Sequence, residues 1–311
     1  MFELSFLDLE LGKAFSNDKA PLELIAILSS YLKEGHLCLP LKTLESTKRT
    51  YVENLISQCP SSMISFSDSQ KATPIYFLNE CVYLHKAFRY ETLFFEEITR
   101  FLNTLSKLED LPFDLDQTLA KKQNEALQKA LAKGMLILTG GPGTGKTFTA
   151  KKIALELIKK SPFFKKTLIL AAPTSKALSQ LKKSLGTIPD DVEMIADTLH
   201  KLVEFKSKKP AYLNASCIIV DEASMIEAPL FAKFFSCLGS QAKLILMGDP
   251  FQLPPVGLGS LFQDLIDLKH YFPNIQHVHL DEPQRCHNHN LLELYEIIQK
   301  GSFEDFYKKI D

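Results

Sequence analysis

The chain has 311 residues, 45% of them hydrophobic and 23% charged, with 36 basic against 37 acidic side chains and a formal net charge of -1. That is apolar material for one or two packed cores, and it excludes binding of nucleic acid through a uniformly basic surface; such a contact would need a local groove, backbone contacts or stacking. No apolar run approaches the ~20 residues of a membrane span, the acidic opening MFELSFLDLELGK is unlike a secretory leader, and six cysteines scattered without a CxxC pair read as buried thiols of a reducing, cytoplasmic protein.

Residues 1–113 read as a mostly helical domain. Leu22, Leu24, Ile25, Leu28 and Leu32 recur at helical spacing, and a second patterned run spans Leu93 to Leu108. Between them QCPSSMISFSDSQ (58–70) predicts a loop, and TPIYFLNECVYL predicts two short strands around a turn. LPFDLD, near residues 111–116, is the expected boundary, leaving 114–311 as the second domain.

Past that boundary, apolar runs of strand length alternate with helical stretches: MLIL (135–138), TLILAA (167–172), CIIV (217–220), KLILM (243–247) and HVHL (277–280). Near-continuous apolar strands with intervening helices predict an α/β domain whose mostly parallel sheet is covered on both faces. Reactive loops then belong at the carboxyl ends of the strands.

The first such loop is GGPGTGKT, which fits GxxxxGK[ST] between a strand and a helix. Its glycines let successive amides curl inward into an anion nest, and a helix starting near Lys146 adds its positive end. Gly140, Gly141, Pro142, Gly143, Thr144, Gly145, Lys146 and Thr147, with Phe148 behind them, are therefore the expected nucleotide cradle. Lys146 is expected at the β- and γ-phosphates and the Thr147 hydroxyl on Mg2+.

CIIVDEASMI places Asp221 and Glu222 at the end of an apolar strand. A nucleotide site needs a carboxylate to hold Mg2+ and a second group to position the attacking water; Asp221 suits the first role and Glu222 the second. In LILMGDPFQLPPVGLGS, Gly248 and Asp249 follow another strand and Gln252 stands close behind, where it could sense hydrolysis and pass a change onward. His277, His279, Cys286, His287 and His289 match no zinc spacing, and alternation along a strand would put His277 and His279 on one face.

Taken together, GGPGTGKT, APTSKA, VDEASM and GDPFQLPPVG resemble motifs I, Ia, II and III of superfamily 1 helicases, and the QLPPVG form is similar to the RecD-like branch. EGHLCLPLKTLE (34–45) and IYFLNECVYLHKAFRYE (75–91) are similar to the opening domain of that family, the alpha subunits of exodeoxyribonuclease V. The resemblance implies a RecA-like P-loop NTPase domain that uses ATP and Mg2+ and moves 5′ to 3′ on single-stranded DNA. It implies RecB- and RecC-type partners and a role in double-strand break repair and recombination.

The resemblance also assigns residues by position. Gln123 matches an adenine-contacting glutamine. Pro173, Thr174 and Lys176 match a loop that grips the DNA backbone; Ser175 stands where relatives often have Gly. Thr198 and His200 match a second DNA-contacting segment, and Lys201 replaces the usual Arg there, keeping the charge but losing the bidentate fork. Arg285 matches the motif IV arginine that stabilises charge on the γ-phosphate. Motifs V and VI of the family find no counterpart, so the expected content is an N-terminal domain plus one motor domain. On that reading the chain is a fragment, a split gene product or a decayed gene. Besides an active helicase subunit, a module that docks on RecBC-type partners and keeps a vestigial nucleotide site stays open.

Overall fold

Ser5 starts the first helix. Its hydroxyl accepts the Asp8 amide at 3.3 Å while Asp8 Oδ2 accepts the Ser5 amide at 2.9 Å, a reciprocal cap on α1 (Phe6–Phe15). Asp8 is buried and also takes the Ser29 hydroxyl and the Lys33 ammonium, each at 2.7 Å, from α2 (Lys19–Lys33). Burial alone would raise its carboxyl; the Lys33, Ser5 and Ser29 donors outweigh that and hold it well below the usual carboxylate range. Gly12 lets the two helices meet closely, because a Cβ there would stand 2.4 Å from the Leu22 carbonyl oxygen.

This computed structural model describes residues 2–68, 72–105, 110–132, 135–141, 143–161, 166–205, 213–240, 242–252, 255 and 257–281. The chain divides into two units: Met1–Arg100 with Ile226–Ser236 and Pro254–Leu261, and Phe101–Met225 with Cys237–Leu253 and Phe262–Asp311.

The first unit continues through β1 (Leu39–Pro40), α3 (Ser46–Gln58), β2 (Ile64–Ser65), β3 (Ile75–Leu78), β4 (Cys81–Leu84) and α4 (His85–Leu105). Its small sheet runs β1-β4-β3-β2, with β2 parallel to β3 and the other pairs antiparallel. The expected pair of strands is thus present. Asn79 and Glu80 between them both have positive φ, 52° and 61°, the backbone a two-residue hairpin needs. Glu80 is a poor residue for that backbone, and Lys42 at 3.1 Å and Arg49 at 3.3 Å hold its carboxylate. Strands β1 and β2 are only two residues long, too short to carry a periodic signal, and β2 falls inside the predicted loop. Leu24, Ile27 and Leu28 of α2 pack with Leu39, Val52, Leu55, Ile75 and Val82. The later segment Ile226–Ser236 joins this unit through α9 (Ala228–Ser236): Phe231 and Phe235 lie 5.7 and 5.5 Å from Phe94, and Arg100 donates to the Phe235 carbonyl at 2.9 Å.

The second unit is α/β. Its elements are α5 (Lys121–Leu131), β5 (Met135–Gly140), α6 (Lys146–Lys159), β6 (Lys166–Ala172), α7 (Ser175–Leu185), β7 (Val192–Thr198), α8 (Leu199–Phe205), β8 (Cys217–Val220), β9 (Lys243–Gly248), α10 (Phe262–Asp267) and β10 (Ile275–Leu280). The strands form one sheet in the order β10-β5-β9-β8-β6-β7, and every neighbouring pair is parallel. Leu136, Leu138, Leu168, Leu170, Ile219 and Ile245 pack on α5, α6 and α7 through Leu127, Ile153, Leu157 and Leu181. The alternate residues Ile137, Ile169, Ile218 and Leu244 are buried as well, so both faces are covered as the unbroken apolar runs require. All five expected strands form. The sixth, β7, escaped the pattern because this edge strand has no buried residue, and Met194 and Ile195 there are exposed.

The expected break after residue 113 differs from the contact division, which falls at Arg100 within α4. Leu111 and Phe113 pack against the second core, and the Leu111 amide donates to Leu131 at 3.0 Å, so LPFDLD supplies core contacts. Among the described residues no helix is long and apolar enough to cross a membrane.

Gly12→Ala is predicted to destabilise the first unit by about 1–3 kcal/mol, since the new methyl meets rigid backbone. Thermal melting against the unsubstituted chain measures this; an unchanged melting temperature would show that α1 is not held at this crossing.

Candidate functional site

Strand β5 ends at Gly140, and the chain turns there because no other residue could. Gly140, Gly143 and Gly145 have φ of 152°, 76° and 85°, and a Cβ on Gly140 would stand 2.4 Å from the Leu280 carbonyl oxygen and 2.8 Å from Thr144 Oγ1. The Thr144 hydroxyl closes the loop on the Gly141 carbonyl at 2.9 Å, and Gly145 in the left-handed region caps α6. The curled backbone leading into the first turn of a 14-residue helix has the chemistry of an anion nest. Lys146 Nζ rests on the loop itself, donating to the Gly140 carbonyl at 2.5 Å and the Gly141 carbonyl at 3.0 Å. Burial lowers the Lys146 ammonium from the ordinary lysine range, while Asp249, Asp221 and Glu222 oppose the fall. Thr147 follows on the first turn of α6, partly buried, and Phe148 is exposed with Lys152 Nζ 5.9 Å from its ring centre. Pro142 lies outside the described residues.

The acidic loop follows β8, two strands from β5. Asp221 extends the sheet by donating its amide to Ala171 at 2.9 Å, and its Oδ1 accepts the Glu222 amide at 2.9 Å. Glu222 holds φ of 53°, a strained value for a residue with a side chain. Burial pushes the Asp221 carboxyl up to about 6, with Glu222 adding, and with the Glu222 amide and Lys146 opposing. A carboxylate so short of solvent suits a divalent cation, which would return it to the ionised form.

Between these loops in the sheet order lies the end of β9. Asp249 is buried, its amide donates to the Ser224 hydroxyl at 3.4 Å, and its Oδ1 accepts the Phe251 amide at 3.0 Å. Gly248 allows the close packing, since a Cβ there would meet the Phe262 ring at 2.8 Å and the Ser224 amide at 3.0 Å. Gln252 is exposed on this loop and donates its amide to the Asp249 carbonyl at 3.1 Å. Asp249 and Ser224 join the acidic loop to the β9 loop, a role that sequence spacing did not assign. The signals for Asp249 in the sequence are its place at a strand end and within GDPFQLPPVG.

Two further candidate loops lie along the same edge of the sheet. Thr174 follows β6 and caps α7, its hydroxyl accepting the Ala177 amide at 3.2 Å; Pro173 is partly buried and Lys176 exposed. Thr198 ends β7 and its amide donates to Asp197 Oδ1 at 2.9 Å, while His200 is exposed on α8. These two loops follow strands at the β6-β7 side, and the cradle follows β5 near the other side. Gln123 is buried on α5 and its Oε1 accepts the Ala120 amide at 3.0 Å, so this glutamine caps its own helix. Arg285, Cys286, His287 and His289 lie outside the described residues. His277 and His279 share a face as expected, both bonded to the Thr139 hydroxyl. Among the described residues no group of three or more metal-type ligands assembles.

Asp221 makes a pH prediction. Its folded value of about 6 lies above the ordinary 3.8, so the folded state binds the proton more tightly. The stability from that proton is full below about pH 4 and lost as pH rises through about 6. Asp221→Asn in the metal-free chain should therefore stabilise it by about 1–3 kcal/mol above pH 7 and change little below pH 4. Melting curves across that range measure it; destabilisation at pH 8 would contradict the burial of this charge.

A family profile described as an AAA domain matches residues 123–258. The RecBCD enzyme subunit RecD of Mycolicibacterium smegmatis is 32% identical over 167 residues, 47% of this chain and 30% of that protein. RecD of Buchnera aphidicola subsp. Schizaphis graminum is 28% identical over 303 residues, 84% of this chain and 50% of that protein. A Pif1 helicase from Bacteroides, solved with ADP-AlF3 and ssDNA, aligns at 21% identity with a TM-score of 0.40, covering 61% of this chain and 48% of that one. The chain thus spans half or less of the length of these two curated relatives. Over the stretch it shares with them, the chain is a relative of RecD.

Proposed function

We propose that the second unit binds ATP with Mg2+ and serves as the first motor domain of a RecD-type DNA helicase subunit. The observation that carries this is the cradle Gly140–Thr147, with Lys146 electrostatically coupled to the carboxylates of Asp221, Glu222 and Asp249. Phosphate oxygens in the nest would take up amides that the glycine backbone turns inward, and Lys146 would exchange the Gly140 and Gly141 carbonyls for them. Thr147 and Asp221 would hold Mg2+, which supplies charge neutralisation at the phosphates. Glu222 would position the attacking water, Gln252 would respond to the γ-phosphate, and Arg285 would add positive charge. Gln123 would face the adenine.

Single-stranded DNA would run along the loops after β6 and β7, over Pro173, Thr174, Lys176, Thr198 and His200. The loop after β6 lies next to the acidic loop after β8, and the loop after β7 lies one strand further out. In a RecBCD-type assembly the chain would work 5′ to 3′ in double-strand break repair and recombination with RecB- and RecC-type subunits, inside the cytoplasm.

One observation favours docking as well. Leu7, Leu11 and Phe15 repeat every four residues on α1, and Leu7 and Phe15 are 69% and 52% exposed. Residues 1–113 would then meet the partner through this stripe, whether or not the nucleotide site turns over. A Leu7→Ser, Phe15→Ser double variant of the chain is expected to lose capture by RecBC-type subunits. Retained capture would place the docking surface elsewhere.

For the motor reading the test is DNA-stimulated ATP hydrolysis. The expected result is a rate that single-stranded DNA increases and that Lys146→Ala lowers at least about a hundredfold, the size of losing one essential charge on the transferred phosphate. A rate indifferent to Lys146 would rule out this cradle as its source.

A further inference from the structure

Strand β10 carries two histidines that the nucleotide loops do not use. His277 Nε2 lies 2.8 Å and His279 Nδ1 3.0 Å from the hydroxyl of Thr139, which is 1% exposed. A hydroxyl has one proton to give, so it donates to one imidazole at most and the other ring must donate an N–H to it. The two tautomers are therefore tied together through one oxygen. Burial holds His277 down to about 4, helped by Lys269 from the turn after α10, by His279 and by Lys129 of α5, and opposed by Asp267 of α10.

Thr139 is the last side chain before the cradle. The next pair in the ladder, Leu280 with Gly140, is its final one, and Gly140 leans on the Leu280 carbonyl with no room for a methyl. The Gly140 carbonyl then carries Lys146 Nζ at 2.5 Å. Any slip between β5 and β10 at this level therefore moves the backbone that shapes the nest and the lysine resting on it. Removing the hydroxyl would also leave two partly buried ring nitrogens without this partner.

We infer that Thr139, clamped between His277 and His279, is a positioning residue for the phosphate cradle. It sets Gly140 against the end of β10 so that the loop is shaped before any anion arrives. The inference rests on reading Gly140–Thr147 as a nucleotide site.

The experiment measures binding of the fluorescent nucleotide mant-ADP, with magnesium, to the full chain and to Thr139→Ser, Thr139→Val and His279→Leu, alongside imidazole 15N NMR and melting of each. Serine keeps the hydroxyl, and valine replaces it at nearly equal volume. Thr139→Val and His279→Leu should weaken binding about tenfold, the worth of one buried hydrogen bond, while Thr139→Ser stays within about threefold. The ring nitrogens of His277 and His279 should shift in the valine variant and keep their tautomers in the serine one. A purely structural clamp would lower the valine variant's melting temperature and leave the affinity of its folded form unchanged. Valine affinity within about twofold of the unsubstituted chain, or serine weakened as much as valine, overturns the inference. If the valine variant does not fold, His279→Leu decides on the same thresholds. Failure of the unsubstituted chain to bind mant-ADP overturns the cradle reading and the positioning role together; equal binding by all four chains overturns the positioning role alone.

Discussion

A strand that ends in left-handed backbone is the constraint on which the second unit depends. At Gly140, Gly143 and Gly145 the chain takes positive φ values that side-chain-bearing residues rarely adopt, and at Gly140 the neighbouring Leu280 carbonyl leaves no space for a Cβ. That turn delivers Lys146 onto the first turn of α6. The parallel sheet then brings the other loops to the same edge: Asp221 and Glu222 after β8, Asp249 and Gln252 after β9. Strand order, more than any single contact, is why residues about a hundred positions apart share one electrostatic environment.

That environment is held under tension. Lys146 is partly buried with its charge disfavoured, Asp221 is pushed toward its neutral form, and Glu222 keeps a positive φ. Each of these costs the folded chain something, on the order of 1–3 kcal/mol for a strained backbone residue. A polyphosphate with a divalent cation would relieve the two charge penalties together, by giving Lys146 an anion and Asp221 a cation. Around this tension sit rigid parts: the Thr144 bond within the loop, the Asp249–Ser224 bond between loops, and the Phe262 ring against Gly248.

What the sequence made legible follows from how local each signal is. The cradle could be read because glycine spacing, a preceding apolar strand and a following helix all lie within about twenty residues. Asp221 could be read because it ends CIIV. The four inner strands showed as apolar runs because both sheet faces are buried, and the edge strand β10 kept enough buried apolar residues to show as well; β7 did not, since Met194 and Ile195 there meet water. Other features needed the fold. No local pattern shows that Gln123, matched by resemblance to an adenine contact, is buried with its Oε1 on the Ala120 amide. The clamp on Thr139 joins residues 138 and 140 positions apart, and only strand pairing brings them together. Nothing local announces that Ile226–Ser236, which follows the acidic loop, clusters with the first unit; Phe231 and Phe235 reach Phe94 there.

The most direct measurement is calorimetric titration of the purified, folded chain with ADP at neutral pH, with and without magnesium. One saturable site is expected, tightened by magnesium and lost when Gly140 is replaced by alanine, because a methyl there cannot coexist with the Leu280 carbonyl. A well-folded chain that takes up no adenine nucleotide under either condition would contradict it, since a glycine-shaped nest backed by Lys146 and Asp221 would then have no anion to hold.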